Sequence, residues 1–235
     1  MNICVIGNSH VAAIKQAYDL MAARGDIPAM TFFANRGDNV AKMVVKNGIL
    51  KPAKENHRLQ AAIEITSGGI KEIDPQKYDF ILVLGLGRAI SELTAMVLRP
   101  ISAGAKERAI QDFWEASVAF ELIEKLRLIT KKTIFFGLAP LTAAKEDGPE
   151  TDDTYREMLA LSQTLFFDAI DVSIVRQPPA TITHGGNTKS EYARDSQRLD
   201  VQGGAATGAH PIGENRHMNA AYGEAWLEGF FAALT

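Results

Sequence analysis

Residues 78–87 read YDFILVLGLG, and this run decides the fold. From Phe80 to Leu84 every side chain is apolar, so an extended segment here is buried on both faces, as a central strand of a covered parallel sheet is. Working outward, similar runs occur at Ile3 to Ile6, at Ala29 to Ala34, within KKTIFFGLAP (131–140, closed by Pro140) and within IDVSIV (170–175). Between them the apolar period lengthens. Val11, Ile14, Tyr18 and Met21 mark one helix face ending near Gly25. Helices are predicted at 89–98, at 106–130, at 153–169 and from His217 through Leu234, where Met218, Tyr222, Trp226 and Phe230 recur at helical spacing. His57 to Thr66 reads as a strand closed by the SGG turn at 67–69.

Strands alternating with helices predict a three-layer α/β/α fold around a mostly parallel central sheet. No repeat of 20–50 residues and no linker divides the chain, so residues 1–235 form one expected domain. Residues 176–213 differ, being rich in Gly, Pro, Thr and Ser with little periodicity. Such a stretch is either a surface excursion or a substrate-binding lid.

Bulk composition narrows the partners. With 235 residues, 46% hydrophobic and 23% charged, the chain matches ordinary globular proteins. A net charge of −3 and no Lys/Arg run beyond two point away from nucleic acid and from membrane surfaces. The lone Cys4 lies in an apolar run, which excludes an internal disulfide. No secretion signal or membrane-length apolar stretch is legible, so a cytoplasmic location is expected.

In an open parallel sheet, ligands gather at the carboxyl ends of the strands. Three such ends carry polar residues: GNSH (7–10), NRGDN (35–39) and GLGR (85–88). Ser9 stands between the first strand and a helix. It is there either as a plain helix N-cap or as a nucleophile facing the cleft. A serine nucleophile needs a base. Among the histidines, His10 adjoins Ser9 and is expected to point away from it; His57 lies in a charged stretch; His184 and His210 fall in the Gly-rich excursion. His217 begins the last helical pattern, and Glu214, three residues earlier, is within a turn's reach of its ring. The bland alternative makes Glu214 a helix-end charge and His217 a surface residue.

Taken together, Ser9 in IGNSH (6–10) and ENRHMNAAYG (214–223) resemble the blocks of the SGNH (GDSL-like) hydrolase family. The resemblance implies an SGNH/flavodoxin-like fold with Ser9 as nucleophile, His217 as base and Glu214, in place of the family's aspartate, as the orienting acid. It implies that the backbone N–H of Gly37 joins that of Ser9 in an oxyanion hole. The family's third-block asparagine is missing, because that place reads Gly85-Leu86-Gly87-Arg88. Arg88, Asn8 or Asn35 is then the candidate replacement donor and substrate contact, with Arg88 favoured on position. The absence of one donor costs about 10²–10³ in rate.

The activity so implied is serine-dependent hydrolysis of an acyl ester through an acyl-enzyme, on a small-molecule or carbohydrate ester. An O-acyltransferase of the same mechanism and a catalytically inactive ligand-binding member of the fold stay open as alternatives. No cofactor is expected. No metal is expected either, since His184, His210 and His217 are neither at i, i+4 spacing nor in H-E-x-x-H. LGLGRA (84–89) lacks the third glycine of a dinucleotide fingerprint. Trp114, Trp226 and Tyr192 are either sugar-stacking platforms or core, the tryptophans' helical spacing favouring core. Oligomeric state is not legible.

Overall fold

The computed structural model describes residues 1–25, 27–149, 153–203 and 208–234. In chain order its regular elements are β1 (Asn2–Gly7), α1 (Val11–Ala22), β2 (Ala29–Ala34), β3 (Met43–Lys46), β4 (Ile49–Pro52), α2 (His57–Thr66) and β5 (Phe80–Leu84). There follow α3 (Ile90–Val97), α4 (Ala103–Glu115), α5 (Val118–Arg127), β6 (Thr133–Gly137), α6 (Asp153–Ser162), β7 (Val172–Val175), β8 (Ile182–Thr183), β9 (Asn187–Thr188) and α7 (Ala220–Ala232).

The main sheet has five strands in the order β2-β1-β5-β6-β7, every pairing parallel. Alternation along each strand divides its apolar side chains between two layers. Cys4, Ile6, Phe33, Ile81, Val83, Ile134 and Phe136 join a core with α2 to α6. Ile3, Val5, Phe32, Ala34, Leu82 and Leu84 join a second core with α1 and α7. The α/β/α expectation therefore holds, and the all-apolar run at 80–84 is explained by two helical layers. Helices α1 and α7 meet closely because residue 223 is glycine. A Cβ there would lie 2.2 Å from the Ala13 carbonyl oxygen.

Three expectations are corrected. Residues 57–66 form a helix, not a strand. The Asn56 side chain accepts from Leu59 N–H at 3.2 Å, and Leu59, Ala62, Ile63 and Thr66 bury one i, i+3, i+4, i+7 stripe. The helix expected at 106–130 is two helices, because Ser117 caps a new start by accepting from Phe120 N–H at 3.2 Å. The last helix begins at Ala220 rather than His217, since Asn219 is its cap and accepts from Tyr222 N–H at 3.1 Å. The hairpin of β3 and β4 had no counterpart in the sequence reading. Of the irregular excursion, 176–203 and 208–213 carry β8, β9 and single helical turns, while 204–207 lie outside the described residues. Among the described residues no helix is long and apolar enough to cross a membrane.

Chain direction positions the site. From β1 the chain crosses first to β2 on one side and then to β5 on the other, so the sheet reverses its winding beside β1. The crevice outside the carboxyl ends of such a pair is where open α/β sheets bind ligands.

Candidate functional site

At that crevice Gly7 of β1 is level with Ala34 of β2 and Leu84 of β5, so 8–10, 35–37 and 85–88 leave the sheet side by side. The buried Asn8 side chain locks the first exit to the third. Its Nδ2 donates to the Gly85 carbonyl at 2.6 Å and its Oδ1 accepts from His10 N–H at 3.1 Å. Gly85 is required for this closeness. Its φ is +77°, and a Cβ would stand 2.6 Å from Asn8 Oδ1 and 3.0 Å from His10 Cβ.

Helix α1 takes His10 as its N-cap position, with no side-chain cap. Ser9 contributes only its carbonyl, which accepts from Ala12 N–H at 3.1 Å. Its hydroxyl is therefore not the helix cap. It lies 2.9 Å from Nε2 of His217, a residue 208 positions away.

His217 sits in the loop before α7, and its neighbours on both sides are pinned. Asn215 carbonyl accepts from Ala143 N–H at 2.8 Å, and Asn219 N–H donates to the Tyr192 carbonyl at 2.7 Å. The Asn219 amide also donates to the carbonyls of Glu191 and Arg194. Within the loop, the Glu214 carboxylate accepts from the N–H groups of Arg216 and His217, both at 2.9 Å. Its Oε1 is also 3.2 Å from His217 Nδ1. The ring N–H does not aim along that line, so the contact is electrostatic rather than a well-formed hydrogen bond. Burial would raise the Glu214 carboxyl, but the two backbone N–H groups and the imidazole outweigh it and hold it below its ordinary value. A carboxylate so held favours the proton on Nδ1, which leaves Nε2 to accept from the Ser9 hydroxyl.

Two further imidazoles stack on the His217 ring. His10 lies at 5.0 Å between centroids and 24° between planes; His210 lies at 4.1 Å and 12°. Burial, followed by the charge of His217, pushes His10 down to about 3. The same two causes, in the same order, lower His210. His10 Nδ1 and His210 Nε2 are closed off from solvent and have no hydrogen-bond partner among the described residues. The sequence reading placed His210 in a loop and missed this contact. It arises because 208–210 pairs back against 196–198, His210 N–H donating to the Ser196 carbonyl at 2.8 Å. Arg36 ties the returning segment to the sheet edge through two donations to the Leu199 carbonyl, at 3.1 and 2.8 Å. His210, Glu214 and His217 each offer one ligand atom, and these atoms all lie within 4.8 Å of one another.

The remaining candidates separate. Asn35 is buried. Its N–H donates to the Gly7 carbonyl and its Oδ1 accepts from Arg36 N–H at 2.7 Å; its Nδ2 has no partner among the described residues. Gly37 opens a short 3₁₀ turn, Gly37–Lys42, and is exposed. No acceptor among the described residues takes the N–H of Ser9 or of Gly37. Arg88, favoured above as the replacement donor, is turned elsewhere: its guanidinium pairs with Glu92 at 2.7 Å and covers the Phe113 ring at 4.8 Å. Asn8 holds the turn together rather than facing the crevice with a vacant amide. Trp114 and Trp226 are buried in the two cores and Tyr192 packs edge-on against Tyr222, which leaves no tryptophan platform for a sugar. His57 and His184 are exposed and stand apart from the cluster. Cavities of about 520 and 670 Å³, lined respectively by α3 with α6 and by β7 with α7, include neither Ser9 nor His217.

No protein-family model matches the chain, and no curated protein matches it. Among solved structures it is similar to a Streptococcus pneumonia protein assigned provisionally as a platelet activating factor, at 13% identity and a TM-score of 0.46, covering 100% of this chain and 84% of that one. It is also similar to a carbohydrate esterase family 2 enzyme with its carbohydrate-binding domain from Corynascus thermopiles (Myceliophthora fergusii). There the identity is 13% and the TM-score 0.38, covering 99% of this chain and 65% of that one. At this identity neither likeness assigns an activity to the chain.

Proposed function

We propose that this chain is a serine-dependent acyl-ester hydrolase working through an acyl-enzyme, with residues 1–235 acting as one domain. The observation that carries the reading is the 2.9 Å separation of Ser9 Oγ and His217 Nε2 across 208 positions of sequence. A hydroxyl is a poor nucleophile until a neighbouring base accepts its proton, and this spacing suits that transfer.

Ser9 Oγ attacks the ester carbonyl carbon while its proton passes to His217 Nε2. The imidazolium so formed faces the Glu214 carboxylate, whose charge stabilises it. The carbonyl oxygen becomes an oxyanion, which accepts from the N–H groups of Ser9 and Gly37. Asn35 Nδ2 is the third donor in this reading, displacing Arg88, because its amide is oriented by Arg36 and still has N–H to give. Collapse of the intermediate expels the alcohol, which takes the proton from His217. Water then attacks the acyl-serine with His217 again as base, restoring Ser9 and releasing the acid. Small-molecule esters and acylated carbohydrates are the substrate classes proposed.

The test is labelling with a fluorophosphonate and mapping of the adduct, alongside p-nitrophenyl acetate hydrolysis. The adduct is expected on Ser9, and Ser9→Ala and His217→Ala are each expected to lower turnover by at least about 10³-fold. An adduct on another residue, or hydrolysis that survives both substitutions, rejects the proposal.

A further inference from the structure

We propose that His210, Glu214 and His217 bind a divalent transition-metal ion of the zinc type, and that the bound ion switches the Ser9–His217 pair off. The binding half stands on these three side chains alone; the inhibitory half rests on the hydrolase reading above.

Two imidazoles and a carboxylate are the donor set that borderline-soft cations such as Zn²⁺ take, with the fourth position left to water. Spacing agrees for two of the three. Ligands about 2.0–2.1 Å from a tetrahedral zinc stand ~3.4 Å from each other, and Glu214 Oε1 is already 3.2 Å from His217 Nδ1. The third donor belongs to His210, whose ligand atom is within 4.8 Å of both others. Closing it onto the ion requires the His210 ring to turn out of its stack on His217, because parallel rings aim their in-plane lone pairs side by side. His210 hangs on a short segment held by its own N–H on Ser196 and by Glu214 N–H on Pro211.

A second observation points to a ligand. Neither His210 Nε2 nor His217 Nδ1 meets solvent or a well-formed hydrogen-bond partner among the described residues. Polar atoms closed off in this way carry a standing desolvation cost that coordination removes. Against the ion stand Arg36, Arg198 and Arg216, which surround the histidines, with Glu214 as the facing anion. That balance sets the expected affinity at about micromolar rather than at the tighter values of structural zinc.

The inhibition follows from proton bookkeeping on one ring. Neutral imidazole has one lone pair and one N–H. An ion on Nδ1 forces the proton onto Nε2, so Nε2 donates to Ser9 Oγ and cannot accept from it. The serine then has no base. Beyond coordination the one bond change is the imidazole proton's move from Nδ1 to Nε2, and a chelator reverses both.

The experiment uses the untagged, chelator-treated full-length chain, titrated with Zn²⁺ by calorimetry and with Co²⁺ by visible absorption. Wild type and Ser9→Ala are both expected to bind one ion per chain, because Ser9 supplies no ligand. His210→Phe keeps an aromatic ring in the stack and is expected to weaken binding by about tenfold or more. His210→Gln is the second variant if the phenylalanine disturbs folding, which thermal melting reports. In p-nitrophenyl acetate hydrolysis, Zn²⁺ is expected to inhibit wild type reversibly, and His210→Phe to need about tenfold more ion for the same inhibition. No one-to-one binding tighter than roughly 100 µM, or undiminished affinity in both His210 variants, overturns the site. Tight binding with hydrolysis that rises on loading and survives Ser9→Ala upholds the site, overturns its inhibitory role and rejects the serine mechanism.

Discussion

Asn8→Ala tests whether the turn after β1 is held by one amide. Asn8 is 8% exposed, and its side chain joins two groups at 2.6 and 3.1 Å, the Gly85 carbonyl and the His10 N–H. Truncation leaves both without that partner in a crowded place. A buried polar group stripped of its partner costs about 1–3 kcal/mol, so the two together cost about 2–6 kcal/mol. For a chain of this size each kcal/mol lowers the melting temperature by about 2–4 °C, which predicts a fall of roughly 4–24 °C. Function should fall further than stability at a permissive temperature. Ser9 lies between the two anchors, and a displacement near 1 Å of a reacting group costs about 10²-fold. Differential scanning calorimetry and p-nitrophenyl acetate kinetics measured well below the melting point separate the two effects. A variant that melts within a degree or two of wild type, with turnover unchanged, refutes the view that this amide sets the position of the hydroxyl.

Asn35→Ala is expected to lower turnover by about 10²–10³ with little change in KM; a fall confined to KM removes Asn35 from the oxyanion site. His10→Phe keeps a ring beside His217 while removing a proton site. Burial lowers the folded His10 from 6.5 to about 3, so below pH 6.5 the unfolded chain takes up the proton first and stability is lost as pH falls toward 3. Between about pH 6.5 and 5 this group alone predicts a loss of about 1.5–2 kcal/mol that His10→Phe does not suffer. Parallel urea melts of the two proteins check it, and identical pH slopes count against it.

The sheet was legible because its strands are apolar on both faces, a pattern no surface helix shows. Phe80 to Leu84 and Ala29 to Ala34 needed no long-range information. What failed was local ambiguity. In HRLQAAIEIT the alternation of Ile63 and Ile65 mimics a strand, while the deciding fact is that Leu59, Ala62, Ile63 and Thr66 share one buried stripe beneath the Asn56 cap. The one local sign of the β3–β4 hairpin is Asn47-Gly48, a pair that favours tight turns. In the site, Ser9, Glu214 and His217 carry spacing that can be read from the chain. His210 does not, since its ring reaches His217 only through the pairing of 208–210 with 196–198, anchored by Ser196 and, through Leu199, by Arg36. Arg88 failed for a similar reason: position suggested a donor, but Glu92 one helical turn away takes its charge.

The polarity of Asn8-Ser9-His10 has a different cause at each residue. Asn8 must be polar because two exits of the sheet have backbone groups to satisfy, the Gly85 carbonyl and the His10 N–H, and its buried amide meets both. Ser9 must be polar because its hydroxyl meets an imidazole brought from the far end of the chain. His10 needs a flat ring more than a charge, for it stacks on that imidazole and burial keeps it neutral. A Gly-Ala turn could follow the same backbone path, yet it would leave the Gly85 carbonyl unsatisfied and His217 without its hydroxyl partner and one of its two stacked neighbours. The same packing that steadies His217 also leaves His210 Nε2 and His217 Nδ1 closed off from solvent and without a well-formed hydrogen-bond partner among the described residues. A cluster built this way holds the His217 ring firmly and, for the same physical reason, gives the proposed metal ion two imidazoles to engage once His217 Nδ1 yields its proton.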